Sequence, residues 1–219
     1  MKIAFITKIE KIGAVQSFEL LKEKFEDVDL FCGESGENLP SKLYKKKYDF
    51  LISYISPWII PKTVLKNIKI RAVNFHPGPP EYPGTGCFNF ALYRNEKKYG
   101  STLHIMEPKV DTGRIISVSR FNIKKDTTVE DLSILTYKNM HNLFKKNLDK
   151  ILSKDEISYS KTSWERKPYK RKDLEDLATL DLSMTKKEIQ RRIRCTYYPG
   201  KPAPFFYIHG KKFEYNENR

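Results

Sequence analysis

Asn74 and His76 stand two positions apart in Val73-Asn74-Phe75-His76-Pro77-Gly78-Pro79-Pro80, and Asp111 follows His76 after 35 positions, in Val110-Asp111-Thr112-Gly113. An amide, an imidazole and a carboxylate suffice for transfer of a carbonyl group to a nucleophile, with neither metal nor covalent intermediate. An amide N–H stabilises charge developing on an oxygen, and one such donor is worth about 2.7–4 kcal/mol. An imidazole of near-neutral pKa moves protons, and a carboxylate beside it orients the ring and favours its charged form. The same spacing also suits a histidine that is only a hydrogen-bonded turn residue, so these residues alone do not assign a reaction.

The elements that must hold these groups follow from the apolar pattern. Residues 2–7, 28–32, 48–54 and 70–75 read as short strands, and residues 14–25, 39–47 and 61–65 as helices between them. In the first helix Val15, Phe18, Leu21 and Phe25 fall at helical spacing. Repeated strand–helix–strand units predict an α/β fold with a Rossmann-like parallel sheet and helices on both faces. In such sheets ligands lie at the carboxyl ends of strands. Asn74 and His76 are then at a strand end with side chains on one side, and the prolines and glycines of residues 76–86 stiffen the loop behind them. Residues 101–106 and 114–121 read as two strands around the turn that carries Asp111.

A long helix is expected over residues 129–151. Thr127 with Glu130 forms a capping pattern, and Val129, Leu132, Leu135, Leu143, Leu148 and Leu152 form a buried stripe. Beyond it the chain is more basic. Residues 185–194 read as a helix capped by Thr185 with Glu188, and strands around His209-Gly210 as a hairpin. The expected division is a catalytic domain over 1–152 and a small helix-and-β-hairpin extension over 153–219 that binds the acceptor or dimerises.

The chain has 219 residues, 39% hydrophobic, which suits a packed core and excludes a disordered chain. Its net charge of +14 attracts anions, although a solvated lysine-rich surface accounts for it equally well. Cys32, Cys87 and Cys195 are scattered and form no CxxC pair, so neither a disulfide scaffold nor a zinc site is indicated. No metal is expected. The apolar run of residues 3–6 is too short for a secretory core, and no stretch approaches transmembrane length. A cytoplasmic setting is the expectation.

Three ordered blocks carry a resemblance. Asn74-Phe75-His76-Pro77-Gly78-Pro79-Pro80-Glu81-Tyr82-Pro83-Gly84, Gly100-Ser101-Thr102-Leu103-His104 and Val110-Asp111-Thr112-Gly113-Arg114-Ile115-Ile116 resemble the folate-dependent formyltransferase family. The resemblance implies that Asn74, His76 and Asp111 are the catalytic triad and that 10-formyltetrahydrofolate is the donor. It implies a pterin between residues 53–60 and 106–111, in contact with Ile55, Pro57, Trp58, Ile59, Met106, Glu107 and Val110. Trp58 suits a core aromatic equally well.

The family divides by acceptor into enzymes acting on glycinamide ribonucleotide, methionyl-tRNA, or amino sugars attached to nucleoside diphosphates. The wording after His76-Pro77, and the segments 167–174 and 194–204, are similar to the sugar N-formyltransferases. The resemblance thus implies a 3- or 4-amino dideoxyhexose on a nucleotide, made for polysaccharide or lipopolysaccharide O-antigen biosynthesis. Acceptor contacts are expected from Pro79, Tyr82 and Gly84 in the loop and from Arg194, Tyr197 and Lys201 in the tail. Cations suit a pyrophosphate and aromatic faces a base. Roughly 70 residues follow the long helix, about half a typical domain, which disfavours a tRNA-binding domain. The charge keeps methionyl-tRNA open, and a non-catalytic basic module that binds nucleic acid is the alternative that the triad opposes. A homodimer through the hairpin is plausible on sequence.

Overall fold

Ile3, Ala4, Phe5 and Ile6 are all fully buried, which requires a strand covered on both faces. In the computed structural model, which describes residues 1–8 and 10–217, this strand is β1 (Ile3–Thr7), an interior strand of a six-stranded sheet. The order is β2 (Val28–Cys32), β1, β3 (Tyr48–Tyr54), β4 (Ile68–His76), β5 (Lys98–Ile105) and β6 (Ile115–Asn122). The first four strands run parallel, as expected. The last two are antiparallel, so the sheet as a whole is mixed. The helix after β4, α4 (Cys87–Tyr93), packs on later helices, and the chain re-enters the sheet beside β4 running the opposite way.

Alternation along the parallel strands separates two cores. Ile3, Phe5, Phe50, Ile52, Val73 and Phe75 face α1 (Ala14–Lys24) and α5 (Val129–Leu152). Ala4, Ile6, Phe31 and Leu51 face the other side, under α2 (Lys42–Lys45) and α3 (Lys62–Leu65). The expected helix over 39–47 is only this one turn. In α1, Leu21 is buried and Phe18 packs beside the core, whereas Val15 is exposed.

Helix α5 begins one residue later in its cap than expected. Thr128, not Thr127, accepts from the Asp131 N–H at 3.1 Å, and the Asp131 carboxylate accepts from the Thr128 N–H at 3.1 Å. Thr127 is buried and unavailable for the role. Of the expected stripe, Val129, Leu132, Leu143, Leu148 and Leu152 are buried. Leu135 is exposed, and the stripe runs through Leu132, Thr136, Met140, Leu143 and Asn147. Thr136 and Asn147 tolerate burial because each donates to the carbonyl four residues earlier, at 2.7 and 2.8 Å.

After α5 a strap of extended chain leads to α6 (Arg171–Ala178), which the sequence did not suggest, and to α7 (Lys186–Thr196). Thr185 caps α7 by accepting from Glu188 N–H at 3.2 Å, as expected. β7 (Phe205–Ile208) and β8 (Lys211–Glu214) close the chain as the expected hairpin. α4, α6 and α7 share a third core around Phe90, Leu177 and Cys195.

Candidate active site

β4 delivers Asn74 and His76 to one side of the sheet while Val73 and Phe75 enter the core on the other. The antiparallel partner β5 sets His104 opposite Asn74, and Thr102 opposite His76. That register completes a cluster. The Asn74 amide nitrogen lies 3.0 Å from His104 Nε2. An amide nitrogen only donates, so Nε2 accepts. The His104 proton is therefore on Nδ1, which donates to the Ile105 carbonyl at 2.7 Å.

Asp111 reaches this cluster from the turn between β5 and β6. Its backbone has a φ of +48°, a left-handed conformation that a non-glycine residue adopts only where its surroundings hold it. One carboxylate oxygen lies 3.1 Å from His76 Nδ1 and accepts from the Gly84 N–H at 2.7 Å. The other lies 3.3 Å from His104 Nε2. Both imidazoles and the carboxylate are almost wholly buried. Burial acts to raise the Asp111 pKa, but His76 and the Gly84 N–H outweigh it and hold the carboxyl well below the usual range. Burial lowers the His76 pKa, against the pull of Asp111 and of the Tyr82 carbonyl.

His76 Nε2 lies 2.8 Å from the Tyr82 carbonyl oxygen. Both ring nitrogens thus face acceptors, and a neutral ring has one proton for the two. The bond to a carboxylate is the stronger, which puts the proton on Nδ1 and leaves Nε2 as a base. Gly78 keeps the space beside Nε2 open, since a Cβ there would come within 2.6 Å of it.

Asn74, His76, His104 and Asp111 line a cavity of about 270 Å³. All seven residues expected to meet a flat cofactor line it too: Ile55, Pro57, Trp58, Ile59, Met106, Glu107 and Val110. Ile59 is 72% exposed and Val110 42%, so part of this apolar wall stands open to a ligand. Trp58 also packs against the core and donates from Nε1 to the Glu37 carbonyl at 3.0 Å, so it serves both readings.

A second cavity, of about 770 Å³, lies between the sheet domain's loops and the tail, and Thr85 lines both cavities. Lys11, Arg171, Lys201 and Lys212 line it together with aromatic residues including Phe88, Tyr198 and Phe205. The Lys11 pKa is lowered by burial, by Lys201 and by Lys8, the response of a cation held among cations. Of the tail residues expected to contact an acceptor, Lys201 lines this cavity. Arg194 and Tyr197 are not among the residues that line this cavity. The Arg194 guanidinium donates to the Leu92 carbonyl at 2.9 Å and to the Asn95 side chain at 2.7 Å, and Tyr197 packs edge-on against Tyr215. Of the loop residues, Gly84 lines the first cavity, whereas Tyr82 turns its hydroxyl to Glu96 at 2.6 Å and Pro79 is buried. His104 closes the second block of the resemblance but had no role in the sequence reading; its register opposite Asn74 gives it one.

A model of the family described as Formyl transferase matches residues 32–148, more than half the chain. The chain is 31% identical over 172 residues to the bifunctional polymyxin resistance protein ArnA of Wigglesworthia glossinidia brevipalpis, spanning 78% of this chain and 26% of that protein. It is 28% identical over 187 residues to the methionyl-tRNA formyltransferase of Clostridium novyi, spanning 84% of this chain and 59% of that one. The chain thus covers less than two thirds of either relative. The crystal structure of an N-formyltransferase from Helicobacter canadensis, in complex with folinic acid and dTDP-3-aminofucose, superposes with a TM-score of 0.73 at 22% identity, covering 96% of this chain and 85% of that one.

Proposed function

The chain belongs to the formyl transferase family, and from that premise we propose that it transfers a formyl group from 10-formyltetrahydrofolate to the amine of a nucleotide-linked amino sugar. One observation carries the proposal. The amide–imidazole–carboxylate cluster opens on an apolar cavity that Thr85 joins to a larger basic and aromatic one.

The first cavity suits the donor. Ile55, Pro57, Trp58, Ile59 and Val110 offer apolar surface to a flat ring. When bound, the folate supplies a formyl carbon on nitrogen. The residues then have distinct tasks. Asn74, braced by His104, donates to the formyl oxygen as charge develops there. His76 accepts the amine's proton at Nε2, and the imidazolium so formed, held by the Tyr82 carbonyl and Asp111, returns that proton to the folate nitrogen as the formyl group leaves it. Asp111 stays ionised and stabilises that cation.

The second cavity suits the acceptor. Lys11, Arg171, Lys201 and Lys212 match a pyrophosphate, and Tyr198 and Phe205 match a base. The Helicobacter canadensis enzyme, with its bound dTDP-3-aminofucose, supports the sugar reading. Residues 153–219 act in this proposal as the acceptor-side unit. The exposed Tyr207, Ile208 and Phe213 of the hairpin supply a homodimer contact. Among the described residues no helix is long and apolar enough to cross a membrane; we assign the reaction to the cytoplasm. The formylated sugar serves polysaccharide assembly, O-antigen of lipopolysaccharide included, a role that rests on the family resemblance.

Methionyl-tRNA is the second reading, favoured by the Clostridium novyi relative and the net charge of +14. The test is formyl transfer by purified protein across a panel of nucleotide-linked 3- and 4-amino sugars, glycinamide ribonucleotide and methionyl-tRNA, read by mass. A sugar product that disappears with His76→Ala supports the proposal. A His76→Ala variant as active as wild type overturns the mechanism, and formylation of tRNA alone overturns the acceptor.

A further inference from the structure

The strap between α5 and α6 crosses both loops that carry the cluster. Its Ser160 N–H donates to the Ile115 carbonyl at 2.9 Å and its Glu165 N–H to the Pro80 carbonyl at 3.2 Å. Tyr169 then pairs with the loop through Tyr169 N–H to Pro83 and Thr85 N–H to Tyr169, both at 2.9 Å. Between these ties stands Trp164, the strap residue that reaches both rings. Its indole sets its edge against His104 at 5.0 Å between centroids and 86°, and against His76 at 5.7 Å and 75°. Its Nε1 donates to the Gly113 carbonyl at 2.8 Å, two residues beyond Asp111. Trp164 is not among the residues that line the first cavity, so it touches the imidazoles from outside the cavity.

We infer that Trp164 is a positioning residue, a clamp from the C-terminal region that fixes both imidazoles and the Asp111 turn in one relative orientation. It rests on the reading of His76 and Asp111 as the reacting groups. Edge contacts to an aromatic ring orient an imidazole without adding charge beside it. The N–H to Gly113 ties the same indole to the turn whose Asp111 is held at positive φ. Other groups facing His76 are Asp111 from that turn, His104 from β5 and the Tyr82 carbonyl from the loop. None of them is an aromatic ring in contact with both imidazoles.

The test compares Trp164→Ala and Trp164→Phe with wild type by histidine ring NMR and steady-state kinetics. There are four histidines, so their ring signals are few enough to assign by substitution. Trp164→Ala lets water reach the rings, so the His76 midpoint should move up, towards that of a solvated imidazole, and the His104 signals should shift. kcat should fall roughly tenfold to a hundredfold with KM within about twofold, the signature of misplaced reacting groups. Trp164→Phe keeps a ring and should recover most of kcat, and it serves as the readout if the alanine variant does not fold. Unmoved histidine signals in both variants, or an unchanged kcat, overturn the clamp. A wild-type protein that formylates nothing sinks the proposed activity instead, and the NMR comparison then decides the clamp by itself.

Discussion

His76 Nε2 lies 2.8 Å from the carbonyl oxygen of Tyr82, six positions further along the chain, while its Nδ1 lies 3.1 Å from Asp111. The neutral ring satisfies one of these acceptors and the protonated ring both. The fold therefore resists a charged His76 by burying it, yet has partners in place for the charge once a proton arrives. That balance suits a base that is free at neutral pH and takes a proton only in the transition state.

The pH dependence of the rate follows. The His76 pKa is lowered by burial, so kcat/KM should rise through a group titrating below the usual histidine value of about 6.5 and stay level above it. Asp111 pulls that pKa upward. Asp111→Asn should move the acid limb to lower pH and reduce kcat by roughly 10²-fold or more. A rate that shows no acid limb at any pH where the protein stays folded, with chemistry rate-limiting, excludes His76 as the base.

Gly78 is required for space. A Cβ at this position meets His76 Nε2 at 2.6 Å and the Tyr82 carbonyl at 3.0 Å. Gly78→Ala should abolish most formyl transfer while leaving folate affinity near normal, because the crowded atom is the base and not the apolar wall. Equilibrium folate binding beside kcat checks this. Full activity in Gly78→Ala shows that Nε2 needs no open space.

Asn74 is braced by His104 and has a second amide hydrogen for substrate. Asn74→Ala should lower kcat by roughly 10²–10³-fold, about 2.7–4 kcal/mol of transition-state stabilisation, with little change in KM. His104→Ala should show a smaller loss of the same kind, since it removes the brace rather than the donor. Equal losses in KM and kcat would place Asn74 in ground-state binding.

Much of this arrangement was legible in the sequence because it is local. Period-two alternation puts Asn74 and His76 on one side of β4, and the apolar residues of the 53–60 and 106–111 loops do line one cavity. What was not legible depends on long-range register or on polar burial. His104 gains its role by standing opposite Asn74 across an antiparallel pair, a register between β4 and β5 that the reading of residues 101–106 as a strand does not fix. Trp164 lies 60 residues beyond His104 and reaches it only because the strap folds back. In α5 an apolar stripe drawn from the sequence includes Leu135. The true stripe passes through Thr136 and Asn147, whose side chains bond their own helix. Tandem threonines and tandem acids allowed two frames for the cap, and the one formed is Thr128 with Asp131.

Acid should unfold the protein partly through the site. His76 has a lowered folded pKa, so the unfolded chain binds a proton that the native site resists. Its contribution to stability is complete above about pH 6.5 and is lost as pH falls below that value. Asp111 has a depressed folded pKa, so its contribution is present above about pH 4 and is lost on further acidification. His76→Gln should flatten the upper part of this dependence only, and Asp111→Asn the lower part. Urea midpoints between about pH 8 and pH 3 measure both. Parallel curves for wild type and His76→Gln contradict a buried neutral imidazole.

The second cavity makes a prediction about charge. Burial, Lys201 and Lys8 depress the proton affinity of Lys11, a cost that a bound dianionic group relieves. If a pyrophosphate lies there, removing one cation weakens ground state and transition state alike. Lys201→Ala should therefore raise KM for a nucleotide-linked amino sugar several-fold while kcat stays near wild type. The effect should shrink as salt is added, because wild type itself loses affinity when the cations are screened. Arg194→Ala should behave differently. Its guanidinium is committed to Leu92 and Asn95 at the end of α4, so its loss should lower stability more than it raises KM. Thermal unfolding and KM measured on both variants separate the two roles. A large KM effect from Arg194→Ala with none from Lys201→Ala would move the acceptor site out of this cavity.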